Sequence, residues 1–158
     1  MMTDPTSQRR TSRRRFIAGA GALSLALTLR PADATPESMQ AAIREVLGNA
    51  KLNQGRVKID VPPLVENGNT VPLSIAVESP MTETEHVKKI HVFNEKNPLP
   101  QVATFHLGPR SGAARVSTRI RLADTQDVVV IAEMSDGTFW TASANVIVTL
   151  AACNEDVI

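Results

Sequence analysis

Cysteine is nearly missing from this chain: there is one, Cys153, in 158 residues. A lone thiol closes no disulfide within its own chain, and Cys-x-x-Cys redox chemistry and Cys-x-x-Cys-His haem attachment are excluded with it. Glycine-rich phosphate loops and a His-Glu-x-x-His metal motif are also absent, so the residues call for no cofactor. Neither a nucleophile elbow nor a Ser-His-Asp spacing signature is present, which argues against a hydrolase. Past the first 34 residues the aromatics are only Phe93, Phe105, Phe139 and Trp140. That is too few for a base-stacking platform, and nucleic acid is not an expected partner.

What is present begins with an address. Ser12-Arg13-Arg14-Arg15-Phe16-Ile17 has the twin-arginine pattern, with Arg13 and Arg14 as its pair. The fourteen-residue apolar run Phe16 to Leu29 follows. A membrane span needs about 20 residues, so no span is expected. Pro31-Ala32-Asp33-Ala34 supplies a small-x-small site, which predicts cleavage after Ala34 and a periplasmic product. An ordinary export signal or a basic tail is the alternative reading of the arginines. Removing residues 1–34 takes six arginines and two aspartates from the whole-chain 17 and 16, leaving 11 basic against 14 acidic residues and a net charge of −3. The basic character of the whole chain therefore belongs to the leader. Because twin-arginine export carries folded proteins, and no cofactor motif explains folding first, a partner subunit exported in complex is expected.

Residues 35–158 number 124, enough for one domain with a core. Thr35-Pro36-Glu37-Ser38 is a helix-start signature, and Met39, Ala42, Ile43, Val46 and Leu47 recur at helical spacing before Gly48. This predicts one short amphipathic helix, read as a lid on a sheet in preference to a partner-binding helix. From Arg56 the period becomes two. Strands are predicted over 57–61, 71–78, 87–94, 102–107, 114–122, 127–135 and 138–150, with Pro62-Pro63 and Glu66-Asn67-Gly68-Asn69 as a turn-rich connection. Ser135-Asp136-Gly137 is the clearest hairpin turn. The pattern predicts an all-β, immunoglobulin-like antiparallel β-sandwich of about seven strands with one N-terminal helix. Its layout is a signal at 1–34, a sandwich domain at 35–150 and a cysteine-bearing arm at 151–158.

Several side chains invite a functional reading. Arg115, Arg119 and Arg121 share strand parity with Ser117, so three guanidinium groups lie on one sheet face and could bind an oxyanion or an acidic partner. A solvated outer face is the ordinary explanation and the preferred one. His86 and His91 have opposite parities, with Met81 upstream and His106 further on, and a copper site would require them to converge in space. Cys153 carries the best chemical argument. It lies just past a long strand-like run, where an end of chain is seldom enclosed on all sides. Glu155 and Asp156 disfavour its thiolate, so local sequence does not activate it. That suits a carrier activated by partner enzymes; a stray buried thiol is the competing account. The three residues from Leu150 to Cys153 span about 10 Å, enough to enter another protein's cleft.

Longer motifs narrow the choice. Ala41-Ala42-Ile43-Arg44-Glu45-Val46, Val65-Glu66-Asn67-Gly68-Asn69-Thr70-Val71-Pro72, His91-Val92-Phe93-Asn94-Glu95-Lys96-Asn97-Pro98-Leu99-Pro100, Ala103-Thr104-Phe105-His106-Leu107, Ser117-Thr118-Arg119-Ile120-Arg121-Leu122-Ala123 and Ala132-Glu133-Met134-Ser135-Asp136-Gly137 are together similar to the SoxY family. SoxY is the sulfur-carrier subunit of the periplasmic Sox thiosulfate-oxidation system. The resemblance spans essentially the whole of residues 35–158 and implies an immunoglobulin-like sandwich, exported by the twin-arginine route and paired with a SoxZ-like sandwich subunit. It implies a non-enzymatic carrier whose cysteine, here Cys153, forms an S-thiosulfonate with thiosulfate. A c-type cytochrome pair loads it, a manganese-dependent hydrolase releases sulfate, and a molybdenum dehydrogenase oxidises the remaining sulfane sulfur. The chain departs from the family at the arm. Gly-Gly-Cys-Gly-Gly is usual there, but Ala151 and Ala152 precede the cysteine here and Asn154 opens a five-residue tail. Alanine stiffens and widens an arm that glycine would leave slim. A related carrier for another sulfur compound, or a non-covalent binding or assembly module with an incidental thiol, are the alternatives.

Overall fold

The computed structural model describes residues 35–150. Helix α1 spans Pro36–Leu47, as Thr35-Pro36-Glu37-Ser38 predicts. Thr35 and Ser38 cap it reciprocally: Ser38 N–H donates to Thr35 Oγ1 at 3.3 Å and Thr35 N–H to Ser38 Oγ at 2.8 Å. Gly48 stops it with φ 57°, its N–H donating to the Arg44 carbonyl at 2.9 Å.

Nine strands follow: β1 (Leu52–Gln54), β2 (Val57–Asp60), β3 (Leu64–Asn67), β4 (Val71–Val77), β5 (Val87–Asn94), β6 (Gln101–His106), β7 (Arg115–Ile120), β8 (Gln126–Met134) and β9 (Phe139–Leu150). They make a sandwich of two sheets. The larger has the order β1-β9-β8-β5-β6 with β3 also on β9; the smaller is β2-β4-β7. The predicted sandwich is present, and all seven predicted strands form within two residues of their expected ends. Two short strands raise the count to nine, and both run parallel to β9 in an otherwise antiparallel fold. Part of the expected turn-rich connection is therefore strand: Leu64 to Asn67 pair with Ile147 to Leu150.

Alternation explains the layers. In β4 the inward residues Val71, Leu73, Ile75 and Val77 are buried. They meet Ile90, Val92, Val128, Val130, Ala132, Val146 and Val148 from the larger sheet in one core. Each fully buried Leu, Ile or Val contributes about 1.5–3 kcal/mol relative to exposure. The opposite parity of β5 and β8 carries Phe93 and Ile131, which with Phe139 form a second cluster beneath Met39 and Ile43 of α1. Helix α1 is thus the expected lid, and the centre of the larger sheet is buried on both faces. Between β8 and β9, Met134 N–H donates to the Thr138 carbonyl at 2.9 Å across the predicted hairpin turn. Gly137 there has φ 81°, a left-handed conformation that favours glycine.

Candidate functional site

Strand β9 ends at Leu150, immediately before the residues predicted to form the cysteine-bearing arm. Strand β9 outlasts its pairing with β8, whose last matched pair is Gln126 with Val146. Beyond it, β3 takes over: Leu64, Val65 and Asn67 align with Ile147, Val148 and Leu150. Gly68 N–H donates to the Leu150 carbonyl at 2.9 Å, while the Gly68 carbonyl accepts from Leu122 N–H at 2.8 Å. Thr125 Oγ1 accepts from Val148 N–H at 3.0 Å. The end of β9 is therefore tied to both sheets, a fixed root for whatever follows Leu150.

A polar knot braces the same end. Asn97 Nδ2 donates to the Arg121 carbonyl at 2.8 Å, and Asn97 Oδ1 accepts from Ala123 N–H at 2.9 Å and Gln126 Nε2 at 3.2 Å. Gln126, buried, accepts from Lys96 N–H at 2.8 Å through Oε1. Lys96 Nζ pairs with Asp124 at 2.8 Å. The hydrogen bond from Lys96, then that from Thr125 N–H, holds the Asp124 carboxyl below its ordinary range. This gives the Asn94-Glu95-Lys96-Asn97-Pro98-Leu99-Pro100 stretch a physical role: Asn97 clamps the β7–β8 connection, and the prolines present Leu99 at 74% exposure beside it. Sequence reasoning quoted this stretch without assigning Asn97, Gln126 or Gly68 a task. Only their contacts, which for Asn97 span 24 to 29 residues, reveal it.

The predicted arm residues Ala151, Ala152, Cys153 and Asn154, like Arg13 and Arg14, lie outside the described residues. Arg115, Arg119 and Arg121 are exposed with Ser117, as their parity predicts. The histidines are not brought together as a metal centre. His86 sits before β5 with Nδ1 3.1 Å from the Thr82 carbonyl oxygen. His91 is buried beneath the helix-covered face, its Nδ1 3.1 Å from Thr104 Oγ1 and its Nε2 without a hydrogen-bond partner. Burial pushes the His91 pKa down, against the opposing charge of Glu133. His106 lies opposite Lys89 on β6, and Met81 is in the core. Among the described residues no group of three His, Cys, Asp or Glu side chains is placed to hold a metal ion. None of the described helices is long and apolar enough to cross a membrane.

Comparison with known proteins places this geometry. Among solved structures, the sulfur carrier protein SoxY from Chlorobium limicola f thiosulfatophilum matches with a TM-score of 0.61 at 29% identity, covering 73% of this chain and 100% of that one. Superoxide reductase (neelaredoxin) from Ignicoccus hospitalis matches with a TM-score of 0.54 at 15% identity, over 74% of this chain and 95% of that one. A putative superoxide reductase from Thermotoga maritima gives 0.51 at 19%, over 63% and 93%. The reductases share the sandwich fold. No curated protein sequence matches the chain. The family model for sulfur oxidation protein SoxY matches residues 43–153, from the middle of α1 across the whole sandwich. The chain belongs to the SoxY family of sulfur oxidation proteins.

Proposed function

We propose that this protein is a sulfur carrier whose covalent attachment point is Cys153. The observation that carries the reading is the reach of the family match, which runs through the fixed root at Leu150 and ends on residue 153. In this reading residues 1–34 are a twin-arginine signal with Arg13 and Arg14, cleaved after Ala34 in the periplasm. Residues 35–150 are the sandwich, and residues 151–158 carry the thiol. A SoxZ-like sandwich subunit completes a heterodimer.

Loading joins the Cys153 sulfur to the outer sulfur of thiosulfate. The thiol proton goes to water and two electrons go to a c-type cytochrome pair, leaving Cys–S–S–SO3−. Attack by water at the manganese-dependent hydrolase then breaks the bond between the sulfane sulfur and the sulfonate. Sulfate and a proton leave, and Cys–S–SH stays on the carrier. The molybdenum dehydrogenase oxidises that sulfane sulfur to a sulfonate, Cys–S–SO3−. Three waters supply its oxygens, seven protons are released, and six electrons pass to the enzyme's electron acceptor. A second hydrolysis releases sulfate and the free thiol. The carrier holds and presents the sulfur; the enzymes do the chemistry. Glu155 and Asp156 disfavour the thiolate in solution, so activation falls to the partner's active site.

A second reading rests on Ala151, Ala152 and Asn154, which make a stiffer and wider arm than glycines would. That arm suits a carrier serving a different sulfur compound. One experiment separates the readings: intact mass of the protein purified with its partner subunit from thiosulfate-grown cells, before and after a thiol reductant, beside Cys153→Ser. A reductant-labile sulfur adduct absent from Cys153→Ser is expected. An adduct of another composition favours the second reading. A bare mass even after incubation with thiosulfate and the loading cytochrome would overturn both.

A further inference from the structure

The smaller sheet leaves one face bare, and that face is cationic. Register across β2, β4 and β7 puts Lys58, Ala76 and Arg115 in one row and Asp60, Ser74 and Ser117 in the next, with Pro72 and Arg119 beyond. Ser74 Oγ and Ser117 Oγ are 3.1 Å apart. A shallow groove of about 580 Å³ runs between Pro72, Ser74, Ser117, Thr118 and Arg119. Arg121 continues the parity just past the strand. The ion pairs among the described residues use Arg56, Lys88, Lys89 and Lys96, so Arg115, Arg119 and Arg121 pair with no described carboxylate.

The arm root lies at one end of this stripe. Leu150 and Leu122 both bond to Gly68, which puts them two backbone hydrogen-bonding steps apart, about 10 Å at ordinary strand spacing. Arg121 is the next residue, and Arg119 is about 7 Å further along the strand. Five residues of extended chain from Leu150 carry Glu155 about 17 Å, and Asp156 one residue more. Arg121 and Arg119 are within that reach. Arg115, about 13 Å beyond Arg119, is not.

We propose that the Asn154–Ile158 segment docks on the outer face of β7, with Glu155 and Asp156 paired to Arg121 and Arg119. Cys153 is thereby parked against the Gly68–Leu122 edge. Docking does not depend on what the thiol carries; its use as a rest position between visits to partner enzymes rests on the carrier reading. Exposed ion pairs are individually weak and screened by salt. The docked arm therefore exchanges readily with a free one, as a shuttle requires.

Cys153 is the chain's only thiol, so a nitroxide attaches there alone. The measurement is paramagnetic broadening of backbone amides at low salt, taken as the ratio of Arg119–Arg121 to Leu64–Asn67 of β3, which pairs with β9 beside the root. The expected result is a ratio that falls about threefold or more in Arg119→Gln/Arg121→Gln and at high salt. Arg115→Gln should leave it unchanged, and Arg119→Glu/Arg121→Glu combined with Glu155→Lys/Asp156→Lys should restore it. An equal ratio in the wild type and Arg119→Gln/Arg121→Gln overturns the docking and leaves the stripe to a separate acidic partner. The intact-mass experiment is blind to arm position, so the two proposals fail separately.

Discussion

The sandwich has two outer faces, and they are built to opposite rules. Beneath α1, the larger sheet turns Phe93, Ile131 and Phe139 outward and buries them against Met39 and Ile43. On the far side, the smaller sheet turns Lys58, Ser74, Ser117 and Arg119 outward, and no described element covers them. Both faces follow from alternation along a strand, which sends every second residue away from the core. What differs is the chemistry at the outward parity. An apolar outward set needs a cover, and α1 supplies it; a cationic set is stable in water and stays available for contacts. The end of β9 at Leu150 is tied to both sheets through Gly68.

The contrast breaks most sharply at Phe93. It is fully buried on the helix side of β5, so Phe93→Ala removes the centre of that cluster. A loss of about 3–5 kcal/mol is expected in denaturant unfolding. A loss below 1 kcal/mol would mean that α1 is not packed on the sheet in solution. Next is the polar knot at the arm root. Asn97→Ala strips the acceptor from Ala123 N–H and the donor from the Arg121 carbonyl, at an expected cost of about 1–3 kcal/mol. Hydrogen exchange at Ala123 should rise with it, and unchanged exchange would show that the knot does not hold the β7–β8 connection.

The covered face also carries a pH dependence. Burial lowers the folded-state pKa of His91 below the ordinary value of 6.5. The unfolded chain therefore binds the proton first as pH falls. The His91 contribution to stability is full above about pH 6.5 and is lost as pH drops from there toward the folded value. His91→Leu should flatten the fall in unfolding free energy below about pH 6.5 by the slope of at most one proton. An unchanged slope would assign the acid sensitivity to another group.

Much of this contrast is legible in the sequence. Strict alternation over Val71 to Val77 fixed the inward set of β4, and the parity of Arg115, Ser117 and Arg119 fixed the outward set of β7. Thr35-Pro36-Glu37-Ser38 marked the start of the helix because its capping chemistry is local. The short strands were not legible. Leu52-Asn53-Gln54 has no alternation to detect, and Leu64 to Asn67 sit between two turn signals. Both are strands because the twelve-residue β9 offers them an edge, a cause that lies far away in sequence. The arm root was hidden for the same reason: Gly68 joins Leu150 to Leu122 across 82 and 54 residues.

The smallest expected effect tests the bare face. Arg115 is exposed, pairs with no described carboxylate and shares its row with Lys58 across Ala76. Its charge is not needed to satisfy a partner, and like charges on one face repel weakly. Arg115→Gln should therefore change unfolding free energy by no more than about 0.5 kcal/mol, with any shift toward greater stability and shrinking as salt is added. A destabilisation near 2 kcal/mol would show that Arg115 holds a contact in solution. The cationic face would then be part of what keeps the sandwich folded, as the apolar face is.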